Sequence, residues 1–321
     1  MAFVVSLIPV RIIHLYFKII FMKKTLNLST RLLVMSFIGA MVLTSCKKDE
    51  SLSPTTENDP VEVAATQNIT AQDAESEAQF DDVFNITASM NSSVAGEDLG
   101  VGANVSGLFD LGSTTANTRG RCFTVTVVPN IPHVFPKTVT IDFGTGCLGR
   151  DGKFRKGKII SIFTNPMVVP GAKVSTTFVG YFVDSFHIEG THISENTSTT
   201  NMQGWKNVVI DGKITNTNTG RWHMWNSTRN ILQVAGNGTA HFPLDDIYKV
   251  TGNANGSNAA GNSWTSLILD PLIKKFVCPW IVKGTVKLVR NGREALLDYG
   301  NGDCDNKAIL YINGVPHIIT L

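Results

Sequence analysis

From Arg119 to the last residue the chain is punctuated too often for anything but strands. Short β-branched or alternating runs recur, each bounded by Gly, Pro or Asn. The predicted strands begin with Cys122–Val128, Lys137–Phe143 and Lys153–Phe163, followed by a long extended stretch over Lys173–Thr197 with room for two strands. Asn207–Thr217, Arg221–Ala235, Ile247–Ala254 and Ser263–Leu269 come next, and Cys278–Arg290, Glu294–Gly300, Lys307–Ile312 and Pro316–Leu321 close the series. No helical pattern separates them, which excludes βαβ units. The expected fold is antiparallel all-β with about a dozen strands, either a sandwich or one strongly curved sheet.

One hairpin is specific enough to assign a register. Asn291-Gly292 is a type I′ turn signal. With those two residues as the loop, Arg290 faces Arg293, Leu288 faces Ala295, Val286 faces Leu297 and Gly284 faces Tyr299. The last three pairs share an apolar face. Lys283, Thr285, Lys287, Glu294 and Asp298 share the wet one. Tyr299 is expected to cover the bare Gly284.

Extending the hairpin sets Cys278 opposite Asp305, one residue from Cys304. A bulge near Gly300 or Gly302 would bring the two sulfurs together. Besides Cys46 the chain has Cys122, Cys147, Cys278 and Cys304, an even set with no C-x-x-C spacing. Four cysteines allow three pairings. Hairpin geometry prefers Cys278 with Cys304 and Cys122 with Cys147. Ile141-Asp142-Phe143-Gly144-Thr145-Gly146-Cys147 also parallels Leu297-Asp298-Tyr299-Gly300-Asn301-Gly302-Asp303-Cys304. The expectation is a duplicated disulfide cassette, one copy at each end of the sheet.

Upstream the character changes. Ala71, Ala74, Ala78, Val83, Phe84 and Ile86 recur at helical spacing and predict a short helix over Thr70–Asn91. Gly96–Thr118 reads as loop. Ser51–Gln67 is rich in Ser, Thr, Pro, Glu and Asn and reads as a disordered tether. The expected division is 1–21 as a mis-called start, 22–45 as signal peptide, 46–69 as acidic tether, 70–118 as helix and loop, and 119–321 as the β domain. Residues 46–110 hold 2 basic against 13 acidic residues, and residues 111–321 hold 21 basic against 13 acidic. That split suggests an acidic stalk leading into a mildly basic domain.

Lys23, Lys24 and Arg31 precede the apolar run Leu32–Leu43, and Leu43-Thr44-Ser45-Cys46 follows. A basic front, a short apolar stretch and small residues before a cut make a secretory signal. A cysteine at the cut resembles the lipobox of bacterial lipoproteins, in which Cys46 would be acylated. The apolar run is too short to span a bilayer, which needs about 20 residues. The C-terminal cassette from Leu297 to Leu321, with Cys278-Pro279-Trp280, Gly284-Thr285, Phe80–Ile86 and the segment at Asp142, resembles uncharacterised Bacteroidota outer-membrane lipoproteins carrying D-Y-G-x-G-x-C-D-N. That resemblance implies location and architecture and brings no activity. Lys48-Asp49-Glu50 is similar to the export tags of surface lipoproteins in that phylum. Outward exposure is therefore preferred over a periplasmic face.

No G-x-S-x-G, H-E-x-x-H, P-loop or dinucleotide fingerprint occurs, and the acids are too dispersed for a glycosidase pair. No enzyme activity, cofactor or metal is expected. Asp298, Asn301, Asp303, Asp305 and Asn306 crowd one loop, but their spacing fails the EF-hand pattern, which leaves turn-capping roles. Arg150, Lys153, Arg155, Lys156 and Lys158 form the densest basic run, expected to guard a strand edge rather than bind phosphate. His187 and His192 fall on opposite faces of one strand. Arg221, His223 and Trp225 share one strand face and are the possible ligand surface, stacking a sugar ring unless they prove to be core. The function expected is a lipid-anchored cell-envelope domain with a structural or interaction role. It would attach to the membrane through Cys46, meet an envelope glycan or protein, and bind no nucleic acid. The alternative is a glycan-binding surface lipoprotein.

Overall fold

A computed structural model describes residues 59–90, 95–100, 123–149, 151–236, 245–278 and 280–320. The signal segment, Cys46, Cys122, Arg150 and the expected loop over 101–118 lie outside them. Fourteen antiparallel strands form one sheet that meanders in chain order: β1 Thr124–Val128, β2 Lys137–Asp142, β3 Cys147–Leu148, β4 Phe154–Phe163, β5 Lys173–Val183, β6 Phe186–Asn196, β7 Gly204–Asn216, β8 Trp222–Ala235, β9 Ile247–Asn258, β10 Ser263–Lys275, β11 Ile281–Arg290, β12 Arg293–Asn301, β13 Lys307–Ile312 and β14 Val315–Thr320. The two-residue β3 pairs with β4 off the main path, and the sheet does not close. Of the two expected architectures, the molecule takes the single curved sheet.

Helix α1, Pro60–Ala88, lies on the concave face. Asp59 caps it, its side chain accepting from the Val61 amide at 2.9 Å, and Pro60 occupies the first turn, where its missing N–H costs nothing. The helix begins at Pro60 rather than Thr70. The second half of the expected tether, through Gln67, is therefore helical and not a stalk. Neither Gly nor Pro interrupts it after Pro60, so the polar residues taken as signs of disorder are compatible with a helix.

The sheet's curvature follows from what the helix touches. Asp81 pairs with Lys274 on β10 at 3.0 Å, while its neighbour Asp82 pairs with Arg155 on β4 at 2.9 Å. A flat sheet would separate those strands by about 29 Å, at the usual spacing between neighbours. Only a sheet wrapped around the helix brings both within reach. Register shifts break every ladder from β4–β5 to β11–β12 and add bend. At one of them a side chain at Gly157 would lie 1.9 Å from the Gly180 carbonyl oxygen, so two strand backbones meet where only glycine fits.

The core fills the trough. Ile69, Phe80 and Ile86 of the helix pack with Ile159, Tyr181, Ile188, Trp225, Leu288 and Leu310. Phe80 stacks on His192 at 6.2 Å and on Trp225 at 5.8 Å.

The β11–β12 hairpin has the expected register from Arg290↔Arg293 to Val286↔Leu297. A register shift follows between Lys283 and Thr285, where β12 has one extra residue between Asp298 and Asn301, at the bulge expected near Gly300. A side chain at Gly284 would come 2.6 Å from the Pro271 carbonyl on β10. The glycine answers that close approach rather than cover by Tyr299. Cys278 and Cys304 are disulfide-bonded with Cα atoms 5.8 Å apart. Cys147 is also disulfide-bonded, and its expected partner Cys122 is outside the described residues. Both cassettes carry the same turn: Asp142 accepts from the Gly144 amide and Asp298 from the Gly300 amide, each at 2.8 Å.

Candidate functional site

The face expected to meet ligand is turned inward. Trp225 is 1% exposed, and its indole N–H donates to Asp73 at 2.8 Å. His223 is buried against Ser76 at 2.9 Å, and only Arg221 reaches solvent. The burial comes from α1, which the strand pattern of β8 does not reveal. A sugar cannot stack on Trp225 without displacing the helix.

The helix binds the trough mainly through charge and hydrogen bonds. It has six acidic residues and no Lys or Arg. Asp73 accepts from Trp225, from the Trp264 indole at 3.0 Å and from the Ser266 hydroxyl at 3.1 Å. Glu77 pairs with Arg229 at 2.8 Å, and Glu62 with Arg290. Gln72 accepts from Asn258 at 2.8 Å. Asp82 takes both Lys153 and Arg155, and Arg155 also meets Asp151 at 2.6 Å. Burial opposes the Arg155 charge, but the Asp151 hydrogen bond and the Asp82 field outweigh it and raise its pKa. Thus the acidic stretch does not lead away from the basic domain as a stalk; α1 neutralises it from inside. Of the run's other described members, Lys158 meets Asp142 at 2.8 Å and Lys156 lies over the Phe182 ring at 4.0 Å.

One grouping resembles a nucleophile and base. Ser76 Oγ sits 2.9 Å from His223 Nε2, with Glu75 4.0 Å from the same nitrogen. However, the Ser76 hydroxyl donates to the Gln72 carbonyl at 2.8 Å, so the imidazole must donate to Ser76 rather than take its proton. Burial pushes His223 down to about 4 and Glu75 up to about 7. Ser76 is 0% exposed. The grouping locks helix to sheet. The acidic turn is likewise spent on backbone, with Asp305 accepting from the Lys307 amide at 3.0 Å. Among the described residues no group of His, Cys, Asp and Glu is placed to hold a metal. His187 stacks on Phe182 at 4.4 Å while His192 is buried under Phe80, so the two do not meet.

The remaining candidate is one end of the sheet. In a meander, alternate connections share an end. Those at 184–185, 217–221, 259–262, 291–292 and 313–314 run two to five residues and are polar, and the 143–153 connection from β2 to β4, which holds β3, shares their end. Those at 129–136, 164–172, 197–203, 236–246, 276–280 and 302–306 run five to eleven residues and all emerge at the opposite end. Long loops on a rigid scaffold are where binding residues concentrate. Their tips carry Ile131, Val134, Val168, Val169, Met202 and Val277, between 40% and 62% exposed. At the short-turn end, among the described residues, the sheet's exposed large apolar side chains are Leu148 within the 143–153 connection and Phe154, Trp222 and Val315 at strand starts.

Buried polar groups hold these loops in place. Lys137, 1% exposed, donates to the Pro129 carbonyl at 3.1 Å and the Ile131 carbonyl at 2.5 Å, and pairs with Glu97 at 2.7 Å. Burial opposes ionisation of Glu97, but Lys137 and the His133 amide outweigh it and hold the carboxyl below its ordinary range. Asn196 donates to the Met167 carbonyl at 2.6 Å. Lys275 donates to the Gly302 carbonyl at 2.8 Å beside the Cys278–Cys304 bridge. The apolar tips are therefore presented on preformed loops.

No protein-family model, curated protein or solved structure matches this chain.

Proposed function

We propose that the protein is a lipid-anchored cell-envelope β domain that acts by contact rather than catalysis, with the long-loop end of its sheet as the contact surface. The observation that carries this reading is the difference between the two ends: one presents exposed aliphatic tips and has four of its six connections longer than five residues, against one of six, 143–153, at the other. The lipobox-like Leu43–Cys46 supports the anchor. Glu62, in the first turn of α1, pairs with Arg290 and Arg293 on either side of the Asn291-Gly292 turn, so the chain enters the domain at the short-turn end. The basic-acidic-acidic Lys48-Asp49-Glu50 supports an outer-membrane location with the domain facing outward. A glycan partner would meet the long loops rather than Trp225.

Site-specific photo-crosslinking in producing cells tests the reading. Probes at Ile131 and Met202 should trap a partner, while probes at Asp184 and Asn291 should not. Equal yields at both ends would overturn the surface. In the same cells Cys46→Ser should release the protein from the membrane fraction, and retention would overturn the anchor.

A further inference from the structure

Beneath the helix, three adjacent strands set side by side a row of polar side chains with atoms that bond to no protein group. Ser194 on β6 pairs in register with Asn207 on β7, and Asn207 with Arg229 on β8. They are 1%, 6% and 5% exposed. Ser194 Oγ, Asn207 Oδ1 and Arg229 Nη1 have no hydrogen-bond partner. Two neighbours extend the group: His192 Nδ1, next on the same face of β6, and Trp205 Nε1, next on the same face of β7. Of seven such buried atoms among the described residues, five belong to this patch. Side chains opposite one another on adjacent strands have Cβ atoms about 5 Å apart, so these groups border one small space. The helix roofs it. Phe80 stacks on His192, Phe84 meets the Trp205 edge at 6.1 Å, and Glu77 pairs with Arg229. On β9 the residue opposite Arg229 is Gly252, which adds no side chain.

The atom types define what fills the space. Arg229 Nη1 and Trp205 Nε1 only donate, Asn207 Oδ1 only accepts, and Ser194 and His192 do either. A metal ion would meet the Arg229 charge. An anion would meet the Asn207 carbonyl and the nearby Glu77 carboxylate. Burial pushes His192 down to about 4 despite the opposing field of Asp81, so the imidazole is neutral at pH 7. The guest must be neutral and must both donate and accept, as water does.

We infer that this space is an internal hydration site in which at least two ordered waters bridge Ser194, Asn207 and Arg229 and join helix to sheet. Asn207→Leu, close in size and apolar, separates a wet site from a dry one. In a wet site it removes a water ligand and strands Arg229, lowering Tm by about 2–5 °C. In a dry site it removes an unsatisfied carbonyl, and Tm holds or rises. Water magnetic relaxation dispersion on the full-length wild type should show long-lived internal waters, and the variant should lose at least one. Ser194→Ala makes the same comparison with a smaller perturbation if Asn207→Leu does not fold. A raised Tm, an unchanged dispersion amplitude, or a crystal structure with a larger guest or an empty space between these side chains would overturn the assignment.

Discussion

Single side chains fasten this molecule through buried polar bonds that have to be complete. Asp73 receives three donors from two strands. Removing the carboxylate leaves two indoles and a hydroxyl buried without an acceptor, so Asp73→Ala should cost about 3–5 kcal/mol, read from urea unfolding followed by tryptophan fluorescence. A cost below 1 kcal/mol would mean that the donors find other partners. The buried histidines make stability depend on pH. Burial lowers His192 and His223 from 6.5 to about 4. Between those values the unfolded chain binds more protons, so their contribution is present above pH 6.5 and is lost as pH falls toward 4, by roughly 3 kcal/mol each. Glu75, raised by burial to about 7, acts oppositely: its contribution is present below 4.5 and is lost as pH rises through 7. Two imidazoles against one carboxyl leave a net rise in urea midpoint from pH 4.5 to 6.5. His223→Gln, which leaves one imidazole against one carboxyl, should remove most of that rise.

At the scale of elements, the cassettes and α1 show what local sequence does and does not reveal. The Asn291-Gly292 turn, the wet and dry faces of β11 and β12, and the Cys278–Cys304 bridge all follow from period-two alternation and one strong turn signal. These are interactions between residues close in sequence. The bridge closes 26 residues and should contribute roughly 3.5 kcal/mol in the chain-entropy model. Replacing both cysteines with alanine should lower the unfolding free energy by about that amount, read from denaturant titration of the oxidised wild type and the double variant. Gly284 was legible as special, but its reason lay on β10, a strand that the hairpin arithmetic does not contain. The helix was legible only in part. Its apolar residues indicate a helix from Thr70 onward, whereas the polar first turns owe their order to Glu62 meeting Arg290 and Arg293, contacts across more than a hundred residues.

The whole molecule is a basic trough closed on an acidic helix. Chain charge splits at about the point where the helix gives way to the sheet, and the two parts neutralise each other internally. A chain starting at residue 90 would leave Arg155, Arg229 and Lys274 without Asp82, Glu77 and Asp81, and would open Trp225 to water. That chain should lose cooperative melting by circular dichroism and bind a hydrophobic dye. A cooperative melt within a few degrees of the intact protein would show the helix to be dispensable. The long-loop end also belongs to this scale. The unequal connection lengths are present in the sequence, but they mark a surface only once the strands are known to run antiparallel in chain order.

Strand identity, the β11–β12 register, the repeated D-aromatic-G-x-G turn and the C-terminal disulfide were determined by the sequence alone. The first three rest on residues a few positions apart, and the disulfide follows from extending one hairpin over 26 residues, so none needs knowledge of the rest. Tertiary structure alone decided that the strands form one curved sheet, that His223 and Trp225 face inward, and that the acidic segment is a strut rather than a stalk. A period-two pattern reports that a strand has a buried face, not what buries it. A charge run reports a need for counter-charge, not where the partner lies. The long-range ion pairs of α1 settle both.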